Sequence, residues 1–152
     1  LLSRFISIAF SRRHILVNAQ SKLEIAAPAK AVWLTVKDFS GICKILPMFD
    51  MLECNGNTPG SIRKLASADG VLIERLESLD NSARVLCYSI IEPTTPMNGY
   101  LGKIDVRDLG ARGCEVAWSS TFEAVGLPGD QVVALVEGIY ATGLANLAKL
   151  HS

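Results

Sequence analysis

Along residues 130–150, Val132, Val136, Ile139, Gly143, Leu147 and Leu150 recur at intervals of three and four, which places them on one face of a helix. Tyr140 and Leu144 widen that stripe, and Ala134, Ala141, Ala145 and Ala148 flank it. Thr142, Asn146 and Lys149 form a narrow polar ribbon, with Glu137 the sole charge between Asp130 and Lys149. The pattern predicts a helix about 31 Å long, at roughly 1.5 Å per residue, enclosed on most sides by other elements. Gly126, Pro128 and Gly129 break the chain before it, and Asp130 is the expected N-cap.

The rest of the chain reads differently. His14 to Ile25 has the composition of a strand, stopped by Ala26-Ala27-Pro28. Pro28 suits a helix start, and Val32, Val36 and Phe39 then share a side with Trp33 near it. Asp38 to Pro47 reads as a second short helix or turn. Beyond Leu52, strands alternate with turn signals: Ser61–Ala68 and Val71–Leu79 about Asp69-Gly70, then Arg84–Glu92, Tyr100–Asp108 and Cys114–Glu123, with a break over Pro93 to Pro96. A strand, two helices, about six strands and a long helix make an α+β chain whose antiparallel sheet curls over the helix.

If Asp69-Gly70 form a two-residue turn, the hairpin assigns faces. Arg63, Leu65, Ser67, Leu72, Glu74 and Leu76 then share one face, with Arg63 and Glu74 diagonal neighbours. Lys64, Ala66, Arg75 and Glu77, with Ile62 and Ile73, share the other. The first set holds more large apolar groups and is expected to face the helix; a one-residue slip would turn it out to solvent. Alternation along the later strands puts Leu86, Tyr88 and Ile90 inward, then Tyr100, Gly102, Ile104 and Val106, and finally Val116, Trp118, Ser120 and Phe122. A mainly apolar interior holding Arg63, Glu74, Tyr88, Tyr100, Trp118 and Ser120 has the form of a small-molecule site. The ligand-binding candidates are Leu65, Leu72, Leu76, Tyr88, Ile104, Trp118, Ser120 and Phe122 from the sheet, with Ile139, Tyr140 and Gly143 from the helix.

Composition narrows the field. The 152 residues suit one domain, taken as 14–152. Fifteen basic and fifteen acidic side chains leave no net charge and no whole-chain nucleic-acid footprint. Mean hydropathy is +0.30, apolar enough to line a cavity as well as fill a core. Cys43, Cys54, Cys87 and Cys114 form no CxxC pair, so no metal site or cofactor is expected, and buried reduced thiols suit a cytoplasmic setting. Residues 1–13 stand apart, with Arg4, Arg12 and Arg13 and no acid before Glu24. They suit an organellar presequence or a surface amphipathic helix, and a foreign or incomplete N-terminus is an equal alternative.

The stretches AAPAKAVWLTVKDFSGICKILP, PGSIRKLASADGVLIERLESLD, ARVLCYSI and GIYATGLANLAKL, in this order, resemble the polyketide cyclase/dehydrase branch of the START-like superfamily. The resemblance implies a helix-grip fold, a curved seven-stranded antiparallel sheet wrapped around the C-terminal helix and a hydrophobic cavity. Relatives include hormone receptors, lipid carriers, polyketide aromatases and cyclases, and the plant lachrymatory factor synthase. That synthase ties an arginine, a glutamate and a tyrosine to its chemistry, which implies Arg63, Glu74 and Tyr100 here as catalytic candidates. The leading expectation is a domain that binds a small hydrophobic or amphipathic ligand, with Arg63 gripping an oxygen of it. The alternative is a cyclase, dehydratase or isomerase without cofactor, in which Glu74 moves a proton while Arg63 and Tyr100 stabilise an oxyanion. A third reading is an interaction protein whose interior is filled. No nucleic-acid partner and no stable membrane insertion are expected, and a homodimer is left open.

Overall fold

The computed structural model describes residues 15–152. The expectations for residues 1–13, and the start of the first strand at His14, lie outside the described residues. Strand β1 (Leu16–Ile25) is followed by helix α1 (Ala29–Val36) and a 3-10 turn (Phe39–Lys44). Six further strands come next: β2 (Asp50–Cys54), β3 (Ile62–Ser67), β4 (Gly70–Asp80), β5 (Val85–Glu92), β6 (Met97–Asp108) and β7 (Cys114–Ala124). Helix α2 (Gly129–Leu150) closes the chain. The strands form one curved antiparallel sheet in the order β1-β7-β6-β5-β4-β3-β2. Only β1 crosses over, so the first and last strands lie side by side.

Local chemistry explains the short elements. In α1 the spacing of Ala29, Val32, Trp33 and Val36 buries one face, and Trp33 Nε1 donates to Asn81 Oδ1 at 3.0 Å beyond β4. The helix stops at Val36, so Phe39, grouped with its apolar side above, opens the following 3-10 turn instead. Asp38 caps the following 3-10 turn by accepting from the Ser40 N–H. After the 3-10 turn, β2 is a separate edge strand that the alternation did not define, because a bulge between Met51 and Glu53 interrupts its period.

The hairpin turn sits one residue earlier than expected. Ser67 pairs with Gly70 across Ala68-Asp69, Gly70 has φ +124°, and Arg63 lies directly opposite Glu74 rather than diagonal to it. Moving the turn by one residue shifts every cross-strand partner by two, so both faces keep their assigned side chains. Arg63, Leu65, Glu74 and Leu76 are accordingly buried.

Helix α2 departs from expectation more. Val132, Val136, Tyr140, Gly143, Leu144 and Leu147 are buried against the sheet, but Ile139 and Leu150 of the predicted stripe are exposed. Ala134, Leu135, Gly138, Ala141, Thr142 and Ala145 also face outward, so the helix is covered along one side and open along the other. Small side chains reduce the polarity of a solvent face without implying a neighbour there. Asp130 is no cap: Pro128 holds that position with no side-chain cap, and Asp130 lies in the first turn. Its carboxylate still favours that positive helix end. Glu137 reaches the sheet edge, accepting the Gln20 N–H of β1 at 2.8 Å. Among the described residues α2 is long and apolar enough to cross a membrane by length and composition, yet its apolar stripe is spent on the sheet.

Candidate functional site

The first polar cluster is built by the hairpin. Inward residues of β3 and β4 place Arg63 and Glu74 opposite each other, 4% and 6% exposed. Arg63 Nε donates to Glu74 Oε2 at 2.7 Å, and a terminal nitrogen approaches the same oxygen at 2.5 Å. The other terminal nitrogen donates to the Phe39 carbonyl at 2.8 Å. The guanidinium carbon lies 4.0 Å from the centre of the Phe39 ring and 5.5 Å from that of Tyr88, so the cation rests on aromatic faces. Both contacts between Arg63 and Glu74 fall on Oε2; among the described residues no hydrogen bond reaches Glu74 Oε1. The pairing of β4 with β5 shifts register between Ile73 and Glu74, beside the acid.

The second cluster draws on β5, β6, β7 and α2. Trp118 Nε1 donates to the Tyr88 hydroxyl at 2.8 Å, and Tyr88 is bonded at 2.8 Å to Tyr100. Tyr100 is bonded to Tyr140, which donates to Ser120 Oγ at 2.6 Å. An indole N–H only donates and each phenol has one hydrogen. With Tyr140 donating to Ser120, the donors must therefore run one way: Trp118 to Tyr88, to Tyr100, to Tyr140, to Ser120. Trp118 stacks on Tyr140 with ring centres 4.8 Å apart. Two glycines make room. A Cβ on Gly102 would sit 2.5 Å from Tyr88 Cζ, and one on Gly143 would sit 2.6 Å from Trp118 Cζ3.

Burial pushes the Tyr88 and Tyr100 hydroxyls well above the usual phenol range, and that of Tyr140 up to about 12. All three are neutral at ordinary pH. Desolvation also raises the Cys43 and Cys114 thiols. All four cysteines are free, but only Cys114 is buried, a correction to the expectation of four buried thiols.

Between the sheet and α2 lies a cavity of about 390 Å³. Arg63, Leu65, Leu72, Glu74, Tyr88, Tyr100, Trp118, Ile139 and Tyr140 line it, as the sequence placed them. Leu76, Ile104, Ser120, Phe122 and Gly143 do not; they are packed behind its wall. The 3-10 turn and the chain after it add Ile42, Leu46 and Phe49, which strand alternation could not reveal. Val132 and Val136 also line it and were legible as helix stripe members, as Ile90 was as an inward strand residue. Val71, Leu135 and Ile139 are lining residues that remain exposed, so the opening lies between the β3–β4 turn and the first half of α2. Tyr100, grouped with Arg63 and Glu74 by resemblance, shares the cavity with them, but its hydroxyl is engaged by Tyr88 and Tyr140. Among the described residues no group of three His, Cys, Asp or Glu is placed to hold a metal ion.

Comparison with known proteins agrees with this architecture. No curated protein matches the chain. A solved Bacillus thuringiensis protein is 30% identical, over 89% of this chain and 98% of its own, with a TM-score of 0.79. The protein XoxI of Bacillus cereus is 29% identical, over 89% and 95%, also at 0.79. The Zhui aromatase/cyclase of Streptomyces sp. R1128 is 18% identical, over 90% and 94%, at 0.76, which shows a shared fold. A family model described as polyketide cyclase / dehydrase and lipid transport matches residues 17–151, and the chain belongs to that family.

Proposed function

We propose that this domain encloses a small hydrophobic or amphipathic ligand between its sheet and α2. The observation that carries the reading is the cavity of about 390 Å³, open at one side and walled mostly by apolar and aromatic side chains. Burial of apolar ligand surface there contributes about 25 cal/mol per Å² removed from water. A cavity of this size counts against an interaction protein with a filled interior. The test is titration with the neutral fluorescent probe phenylnaphthylamine, alongside native mass spectrometry for any retained molecule. Saturable one-to-one binding, lost on filling the cavity by Val136→Trp, is expected. Absence of saturable binding, or binding indifferent to Val136→Trp in a folded protein, would overturn the reading.

A second reading, a cyclase, dehydratase or isomerase acting without cofactor, is favoured by the Glu74 carboxylate, which reaches the cavity with one oxygen unengaged. In it Glu74 moves a proton of the bound molecule while Arg63 holds the carboxylate in place. Chemical conversion of a retained molecule on incubation, slowed by ~10²–10⁴ in Glu74→Gln, separates the enzyme from the carrier.

A further inference from the structure

We infer that the cavity selects an uncharged ligand bearing a hydroxyl group, which donates to Glu74 Oε1, and that it rejects carboxylates in spite of its buried arginine. This rests on the ligand-enclosing reading and names the class of ligand.

Arg63 is already largely committed within the protein. A guanidinium carries five N–H donors. Three of its nitrogens are already engaged, two on Glu74 Oε2 and one on the Phe39 carbonyl. Its charge is balanced by Glu74 at hydrogen-bond distance, in a setting where both are nearly excluded from water. An incoming carboxylate would have to shed its own water and then compete with Glu74 for one cation. The carboxylate left over would be buried without a partner, which is costly. The cavity wall holds one further charge, Asp69, so its ionised groups sum to one positive and two negative. That balance repels an anion.

Glu74 Oε1 supplies the positive half of the selection. Among the described residues no fully buried side-chain nitrogen or oxygen lacks a hydrogen bond. Oε1 has none, so it keeps accessible surface, and the cavity lies beside it. A carboxylate oxygen accepts and cannot donate, so the complementary group is a donor. A hydroxyl fits best, because it can donate to Oε1 and accept from a remaining Arg63 N–H. The tyrosine cluster has no hydrogen to donate to a ligand. Its phenol hydrogens are all committed along the chain from Trp118 to Ser120. It therefore offers the ligand ring faces, while Glu74 offers the polar contact.

The experiment compares three naphthalene probes of one shape by isothermal titration calorimetry at neutral pH: β-naphthol, its methyl ether, and β-naphthoate. The naphthol is expected to bind roughly tenfold or more tightly than the ether, as a hydrogen bond to a charged group provides. It should exceed the naphthoate by at least as much. Equal binding of naphthol and ether, or naphthoate binding as tightly as naphthol, would overturn the inference while leaving the enclosing reading standing. If none of the three binds, the inference fails, and the phenylnaphthylamine titration decides whether the enclosing reading falls with it. In Glu74→Gln the discrimination against naphthoate should disappear, because the competing charge is gone; its persistence in a folded variant would also overturn the inference. Should that variant not fold, Arg63→Leu combined with Glu74→Leu takes its place. There naphthol and ether should bind alike, and a retained preference for naphthol would place the selective group elsewhere.

Discussion

The two polar clusters in this cavity are built in opposite ways. Arg63 and Glu74 are neighbours across a single hairpin, eleven residues apart, and interact through charge. The Trp118, Tyr88, Tyr100, Tyr140 and Ser120 chain is neutral and joins three strands to α2, with its longest link forty residues in sequence. The first leaves an acceptor oxygen open toward the cavity; in the second each phenol hydrogen is already used inside the protein. Charge concentrated in one pair makes that pair costly to break and selective. Hydrogen bonding spread over five side chains makes the other cluster a scaffold, each link of which is worth little alone.

The sharpest test of this contrast is to break the pair. Arg63→Leu or Glu74→Leu alone strands a buried charge and should cost about 3–5 kcal/mol, whereas the double replacement should be closer to wild type. Chemical denaturation of the three variants reads this directly. Additive losses in the double would mean that the two groups do not behave as one unit.

Gly143→Leu comes next. Its Cβ alone would meet Trp118 Cζ3 at 2.6 Å and Leu46 Cδ2 at 3.1 Å, so the helix must move off the indole. Overpacking of this kind costs about 1–3 kcal/mol, and here it should also disturb the bond from Trp118 to Tyr88. An unchanged melting temperature would show that the aromatic cluster yields more readily than its geometry suggests.

Alkaline pH probes the same cluster without mutation. The folded Tyr140 hydroxyl titrates near 12, above its ordinary value of 10.0, so the folded state holds its proton more tightly than the unfolded chain does. Its contribution is full below about 10 and is lost as pH rises through about 12, so the fold should weaken across that window. Stability measured against pH, together with phenolate absorbance, checks this. Stability that is flat there would mean the phenols ionise in place.

The smallest effect is expected for Tyr100→Phe. It removes two links, and the Tyr88 hydrogen loses its acceptor while Tyr140 keeps Ser120, so the loss should be about 1–2 kcal/mol. Phenylnaphthylamine affinity should change little, since the ring remains. A loss as large as that for breaking the ion pair would erase the distinction between the clusters.

What could be read in advance follows the same division. The inward position of Arg63 and Glu74 was legible although the turn was placed one residue late, because that error moves partners by two and leaves faces alone. Tyr88, Tyr100, Trp118 and Ser120 were legible as inward by alternation, and Tyr140 as part of the helix stripe. Their links to one another were not, because alternation gives a face and says nothing of which strand lies beside which. The role of Phe39 was hidden in part for a plainer reason: besides its ring, it meets Arg63 through a backbone carbonyl, which every residue has.

The open side of α2 shows the limit most clearly. Alanine and glycine at positions 134, 138, 141 and 145 suit a crowded helix face as well as a solvated one, and here they are solvated. The sequence by itself determined the order of the elements apart from β2, the inward faces of the strands and the hairpin that sets arginine against glutamate. Each of these follows from spacings within one strand or between two adjacent ones, where the backbone period dictates side-chain direction. Only the tertiary structure decided how far α2 is covered, which hydroxyls meet, where the cavity opens, and that one glutamate oxygen is left free. Those outcomes depend on where whole elements dock, and docking is set by summed packing over many distant side chains.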